Sequence, residues 1–475
     1  MDGKGSGYYK WTVLLITSIG AFMTPFDSTI VSVSLPSIAS SLSISYAMVI
    51  WVPTAYLVTL AVLLLSLGRL SDIKGRKPLF VSGFAVFIAA SLLCSISYSG
   101  LQLIVFRAVQ GAGAAFIGAT STAIVTDVFP SRERGKALGI NAMSIYVGLS
   151  MGPSLGGFLT HTLGWRSIFY INIPIGILVI TLALLKLREP ITQIRGRRFD
   201  LLGASTFSLG LIALLVALTL GESYGWRSLL IIGLLIVGGV LLAIFTLVER
   251  KKVDEAMLDI SLFSRNRLFA AANVSAFLNY TSYFGVSFFV SFYLQRVLDY
   301  SPLQAGMILL TMPVTMTFLS PISGWLSDRI GSRILSSLGM ALICIGLLLM
   351  STLGLISSST DVVIRLFIIG FGMGLFSSPN TSAVMGSVEK SRLGVAYGTL
   401  ATMRFVGQSM SLAIMGAIVA TVASSEVLSA LFIGYQSKVV VAVETFLEGM
   451  RRAFIASAFI AALGFFTSLV RGKGK

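Results

Sequence analysis

The chain has 475 residues, 55% of them hydrophobic and only 11% charged, against about 25% charged in a soluble domain. A soluble multi-domain enzyme would need far more polar surface, and a singly anchored receptor would confine its apolar residues to one stretch, so a polytopic all-α membrane protein is what remains. The formal net charge of +16, from 35 Lys+Arg against 19 Asp+Glu, would point a soluble protein toward nucleic acid or an anionic surface; here its placement along the chain decides.

A bilayer core of roughly 30 Å takes about 20 apolar helical residues. Runs of that length, separated by polar punctuation, number fourteen: 11–35, 49–67, 78–96, 101–125, 137–159, 167–187, 201–220, 229–248, 268–294, 303–325, 334–356, 362–385, 395–423 and 453–470. With both termini inside, most of the basic residues fall in cytoplasmic segments, which fixes the orientation. The clusters Arg195-Gly-Arg197-Arg198 and Arg250-Lys251-Lys252 then read as anchors near anionic lipid, with no nucleic-acid role. The segment 424–450 is apolar but holds Gln436, Lys438 and Glu444 and is expected to be an outer amphipathic element. A further crossing there would carry Arg471, Lys473 and Lys475 outside, against the charge rule. The first run is too long for a signal peptide and contains Pro25 and Asp27, so no cleavage is expected. Cys94 and Cys344 lie in separate spans, and the single His161 in a short outer loop. No metal, nucleophile or cofactor constellation is visible, and an enzyme is not expected.

The chain repeats itself. Gly68-Arg-Leu-Ser-Asp72-Ile-Lys-Gly75-Arg76-Lys77 follows the second run and Gly324-Trp-Leu-Ser-Asp328-Arg329-Ile-Gly331-Ser-Arg333 follows the tenth; Gly111 and Gly113 echo in Gly370 and Gly372, with Arg107 and Arg365 nearby. Two halves of six spans follow, 1–190 and 268–475, if residues 191–267 insert two further spans between them. Internal repeats with a site at their interface are the architecture of secondary transporters.

These residues resemble the major facilitator superfamily, in particular its fourteen-span drug:proton antiporters. The resemblance covers nearly the whole chain and rests on motifs in the family's order. They are the first-span run Phe26-Asp27-Ser-Thr-Ile-Val-Ser-Val-Ser-Leu-Pro36, the loop motifs, Arg107-x-x-Gln110-Gly111-x-Gly113, Gly148-Leu-Ser-Met-Gly152-Pro153-Ser-Leu-Gly156-Gly157, and Trp165-Arg166 with Asn172-Ile-Pro174. It implies two six-helix bundles, plus two inserted helices here, that work by alternating access. It further implies an inner-gate latch from Asp72 and Arg76 with Asp127 as ionic partner, and a weaker second latch from Asp328 and Arg329, because Ser332 stands opposite Arg76. The glycine-proline run would mark antiport over uptake.

Ionised groups inside a span are costly, so each asks for a reason. Asp27 is the only carboxylate well inside a run. It lies roughly 21 Å from the inner edge and Arg107 roughly 9 Å from the outer edge at 1.5 Å per residue, depths that coincide and allow a pair. Two readings stand: a static pair fastening span one to span four, or, as the resemblance implies, a carboxylate that carries the coupling proton. Arg404 sits near the midplane of span thirteen with no evident partner; Arg365 is close enough to a span end to snorkel. Phe277, Tyr280 and Phe284 share a helical face in span nine and, with Tyr56, Gln110, Asn141 and Arg404, are candidates for a substrate cavity. The expected protein is a plasma-membrane, proton-coupled antiporter exporting small amphiphilic or cationic compounds, whose partners are protons, substrate and lipid, with no obligate protein partner. A lipid, metabolite or anion carrier is the alternative within the fold, and a non-transporting scaffold or sensor the alternative outside it.

Overall fold

A computed structural model describes residues 3–188, 200–251, 260–389, 392–422, 425–433 and 439–471. The cluster at 195–198, Lys252, Lys473 and Lys475 lie outside them. The described residues are helical almost throughout. The first half contains α1 (Gly3–Leu42), α2 (Tyr46–Lys74), α3 (Arg76–Ser95), α4 (Gly100–Val128), α5 (Ser131–Leu163), the single turn α6 (Ser167–Tyr170) and α7 (Asn172–Lys186). A hairpin of α8 (Leu201–Tyr224) and α9 (Leu229–Lys251) and a short α10 (Ile260–Arg265) follow. The second half contains α11 (Arg267–Tyr283), α12 (Gly285–Phe292), a π turn at Tyr293–Val297, α13 (Pro302–Leu309), α14 (Thr311–Ile330), α15 (Ser332–Met350), α16 (Ser359–Gly386), α17 (Leu393–Ala420), α18 (Ser425–Ile433) and α19 (Val439–Leu469).

Thirteen helices among the described residues are long and apolar enough to cross a membrane. The stretch expected as a ninth single span is instead divided among α11, α12 and the π turn. At the break, the backbone N–H of Gly285 donates to the Ser411 hydroxyl of α17 at 3.0 Å, a side chain inserted where the helical ladder would run. α13 and α14 part just before Pro313, whose missing N–H frees a carbonyl one turn back. The helix starts are locally encoded: Ser301 and Ser358 each close a capping box, with Gln304 and Asp361.

The sequence repeat is a repeat of close contacts. A Cβ at Gly111 would strike the carbonyl of Tyr56, and one at Gly370 would meet the carbonyl of Met312 at 2.6 Å. A Cβ at Gly113 would lie 2.6 Å from the backbone nitrogen of Phe87 and 2.9 Å from the Gly83 carbonyl, while Gly372 stands in the same relation to Ile343 and Gly339. Tyr56, Gly83 and Phe87 correspond to Met312, Gly339 and Ile343, each 256 residues on. α4 and α16 can approach their neighbours this closely only because no side chain intervenes. The turns match too: Gly75 and Gly331 adopt φ of 97° and 87°, a region glycine enters without penalty, and donate to Ser71 and Ser327 at 3.1 and 2.9 Å.

In α5, Gly148, Gly152 and Gly156 receive α1, with the Phe22 carbonyl 2.5 Å and the Ile30 carbonyl 2.8 Å from where Cβ atoms would stand. Gly157 faces the other half, against Pro302, and the Pro153 carbonyl abuts Gly306. Hydrogen bonds between the halves gather at the end of the bundle away from both termini. Gln295 donates to the Val33 carbonyl at 2.9 Å and Arg296 to the Pro36 carbonyl at 2.7 Å, while Tyr46 donates its hydroxyl to Gly416 at 2.9 Å. The segment expected as an outer amphipathic element comprises α18 and the first turns of α19. α18 lies over this same end: Ser429 accepts from the Tyr46 N–H at 2.9 Å and Phe432 stacks on Phe292 with centroids 3.8 Å apart. At mid-depth, Ser150 and Thr317 share a hydrogen bond at 3.0 Å and Tyr146 and Ser377 one at 2.6 Å. The hairpin packs on the outside of the seam, Leu211 and Leu215 of α8 against Val58, Ala61 and Val62 of α2 and Ala413 of α17.

Gly306→Val is expected to prise this far end open. In a background lacking Cys94 and Cys344, a cysteine introduced as Ser37→Cys would react severalfold faster with an impermeant maleimide when Gly306→Val is present. An unchanged rate would show that the contact does not hold the halves together.

Candidate functional site: a caged ion pair and an open arginine

The four-residue turn α6 resets the chain so that Asn172 begins α7, and Pro174 falls in the first turn, where a missing N–H costs nothing. On α4, Arg107 and Gln110 are one turn apart on the face that Gly111 and Gly113 press against α2 and α3. These two local features and α1 converge on Asp27. Arg107 Nη1 lies 2.5 Å from one Asp27 carboxylate oxygen, and Gln110 and Asn172 each donate an amide N–H to the other at 2.8 Å. Gln110 also donates to Ser91 of α3 at 2.8 Å and accepts from Arg107 at 2.6 Å. The guanidinium carbon sits 4.3 Å from the Tyr56 ring centroid, and the Tyr56 hydroxyl donates to the Thr24 carbonyl at 3.1 Å.

Asp27, Arg107, Gln110, Tyr56 and Asn172 are all fully buried. A bare ion pair in such surroundings would not recover its desolvation cost; here the neutral amides supply the further hydrogen bonds that make it tenable. Tyr56 and Gln110, expected in a substrate cavity, stand in this closed cage inside the first half: the Gln110 amide bonds both members of the ion pair, and the Tyr56 ring lies on the guanidinium while its hydroxyl is held by Thr24. Ser91 carries no signal in the sequence; Asn172 was visible as a motif residue but without a role.

Arg404 of α17 is differently placed. It is half-buried, donates to Thr381 of α16 at 2.6 Å, and lies with its guanidinium carbon 5.7 Å from the Tyr280 ring centroid. Tyr280 and Tyr283 pack with centroids 5.5 Å apart. Tyr146, whose hydroxyl pairs with Ser377, brings the first half to the same place. Phe277 and Phe284 are half-buried; the Phe277 carbonyl and Tyr280 pack against Gly407, directing this face of α11 at α17. Asn141 is buried on α5 with its amide nitrogen lacking an acceptor. Tyr146, Ser377 and Thr381 were not singled out from the sequence; Tyr397, two turns before Arg404 on its helical face, could have been.

At the end that carries the termini, Arg76 pairs with Asp127 and donates to the Ala123 carbonyl at 2.7 Å, a bond across the start of α3 to the end of α4. Gly68 lies near the end of α2 with open space around its Cβ position. The side chain of Asp72 lies outside the described residues. In the second motif Gly324 packs against Ser378, Asp328 is exposed, and Arg329 is spread over the Trp325 ring at 3.9 Å. The two motifs share a backbone and differ in ionic state. Arg365 has one buried nitrogen without an acceptor.

The sequence profile of the Major Facilitator Superfamily matches residues 17–196 and 192–412. The chain is 34% identical over 397 residues to the riboflavin transporter RibZ of Clostridioides difficile, covering 83% of this chain and 85% of that protein. It is 33% identical to the multidrug resistance protein Stp of Mycobacterium tuberculosis, covering 86% of this chain and 75% of that one, and 32% identical to the multidrug transporter MdtP of Bacillus subtilis, with 88% and 77% covered. Among solved structures, a bacterial homolog of the human lysosomal transporter Spinster in an inward-facing, occupied conformation superposes with a TM-score of 0.72 at 17% identity, covering 98% of this chain and 97% of that one.

Removing one member of the caged pair should hurt more than removing both charges. Arg107→Leu is expected to destabilise by about 3–5 kcal/mol, and Asp27→Asn combined with Arg107→Gln to recover most of that loss, read by thermal unfolding in detergent; simple additivity would contradict the coupling. Asp127→Asn, at a partly exposed pair, should cost under about 1 kcal/mol of stability and show itself instead in slower turnover.

Proposed function

Because the chain belongs to the Major Facilitator Superfamily, and is therefore an integral multi-pass membrane transporter and no enzyme, we propose that it exports small amphiphilic compounds in exchange for protons. The observation that carries this reading is Asp27: a fully buried carboxylate held by Arg107, Gln110 and Asn172, all of the first half. A group so enclosed exchanges its proton only when the bundle rearranges, which ties protonation to the alternation of the cavity between faces. The multidrug relatives support export of amphiphiles. The basic bias places the termini, and the end where Arg76 meets Asp127, in the cytoplasm. The hydrogen bonds that fasten the halves at the opposite end support an inward-open reading, in which a cytoplasmic compound is collected.

The two-bundle organisation with the hairpin of α8 and α9 between the halves belongs to this proposal, as do the latch at Arg76 and Asp127 and the antiport role of Gly148, Gly152, Pro153, Gly156 and Gly157. A second reading, a carrier for an aromatic metabolite or anion, is favoured by Arg404 and by the relative named for riboflavin.

Purified protein in liposomes with an imposed pH gradient should couple substrate movement to proton movement. Asp27→Asn should lose gradient-driven accumulation while still exchanging substrate down its own gradient. Full accumulation by Asp27→Asn would remove Asp27 from the coupling.

A further inference from the structure

Arg107 and Arg404, both within the spans, are compensated differently. Arg107, fully buried, has a carboxylate, an amide and the Val52 carbonyl around it, with only Nη2 lacking an acceptor. Arg404, half-buried on α17, has one hydrogen bond to a neutral hydroxyl, a buried Nε with no acceptor, and no carboxylate partner among the described residues. Its electrostatic surroundings are the hydroxyls of Tyr280, Tyr146, Tyr397 and Tyr283. Tyr146 comes from α5 and the others from α11 and α17, so the cluster spans the junction of the halves. A cation left uncompensated inside a membrane protein is expensive, and this one remains half-buried, within reach of a visitor.

The geometry points to a binding site at Arg404 for a planar aromatic anion, a flat ring system with a carboxylate, phosphate or ring-borne oxyanion at one edge. The guanidinium fork has donors free for paired oxygens, the tyrosine hydroxyls can donate to further acceptors, and the half-buried rings of Tyr146 and Tyr397 offer an aromatic surface to the ring. A cation would meet uncompensated positive charge at the same place. This narrows the substrate class of the transport reading and rests on it for its purpose, though the site itself can be tested without transport.

Fluorescein and tetramethylrhodamine methyl ester share a flat xanthene core and carry opposite charge at mildly alkaline pH. Fluorescence anisotropy with purified protein, without a membrane gradient, reads binding of each. The wild type should bind fluorescein about tenfold or more tightly than the rhodamine ester, and Arg404→Gln should abolish that preference. Arg404→Lys, which keeps the charge and loses the fork, should retain a reduced preference for the anion. Tyr397→Leu should weaken both dyes. Gel filtration reports whether each variant is folded. Should Arg404→Gln misfold, the wild-type preference and Arg404→Lys still decide. Equal binding of the two dyes, preference for the cation, no binding of fluorescein, or fluorescein binding unaltered in folded Arg404→Gln would each overturn the proposal. None of these outcomes touches the proton coupling at Asp27, which fails or stands on the liposome measurement alone.

Discussion

A carboxylate and a guanidinium cannot be left apart inside a bundle surrounded by lipid. Satisfying them fixes which helices meet in the first half. Asp27 brings α1 to Arg107 and Gln110 on α4, Gln110 carries the network to Ser91 on α3, and Asn172 closes it from the head of α7. Four helices are thereby registered to within a hydrogen bond at one depth, whereas apolar packing alone, being non-directional, would tolerate sliding. The glycines of α4 are the enabling condition, since Gly111 and Gly113 let the helix sink against Tyr56 and Phe87 far enough for its polar side chains to reach.

The second half repeats the backbone of this arrangement without, among the described residues, its ion pair. Gly370 and Gly372 pack on Met312, Gly339 and Ile343 as their counterparts do, but no acidic residue stands where Asp27 would have an equivalent. Its half-buried Arg404 instead lies beside Tyr146 of the other half. The first half thus keeps its ion pair inward, and the second places a cation at the junction. The terminal turns diverge likewise: the same glycine conformation at 75 and 331 supports an ion pair at Arg76 in one copy and an arginine lying on Trp325 in the other.

Much of this was legible in the sequence for plain reasons. Helix length and apolar run length are set by bilayer thickness, so the spans stood out. The depths of Asp27 and Arg107 followed from the helical rise, and the repeat from matching glycines. What was not legible depended on tertiary register. Nothing about Ser411 announces that its hydroxyl caps Gly285 and divides a helix. Tyr56 and Gln110 looked like cavity residues because polar groups in spans usually face water, and only the packing shows Gln110 bonded to the ion pair and Tyr56 laid over it. Tyr146 and Thr381 became neighbours of Arg404 through contacts hundreds of residues apart or from an adjacent helix, which periodicity does not encode.

Among the described residues, the face that the α8–α9 hairpin lays on α2 and α17 is hydrocarbon: Leu211 and Leu215 on Val58, Ala61, Val62 and Ala413. Dispersion contacts of this kind set no register, and small and branched side chains exchange one set for another as they slip. If α2 and α17 swing against each other, this face can follow like a greased bearing, keeping lipid out of the widening seam while adding almost nothing to the barrier for the swing.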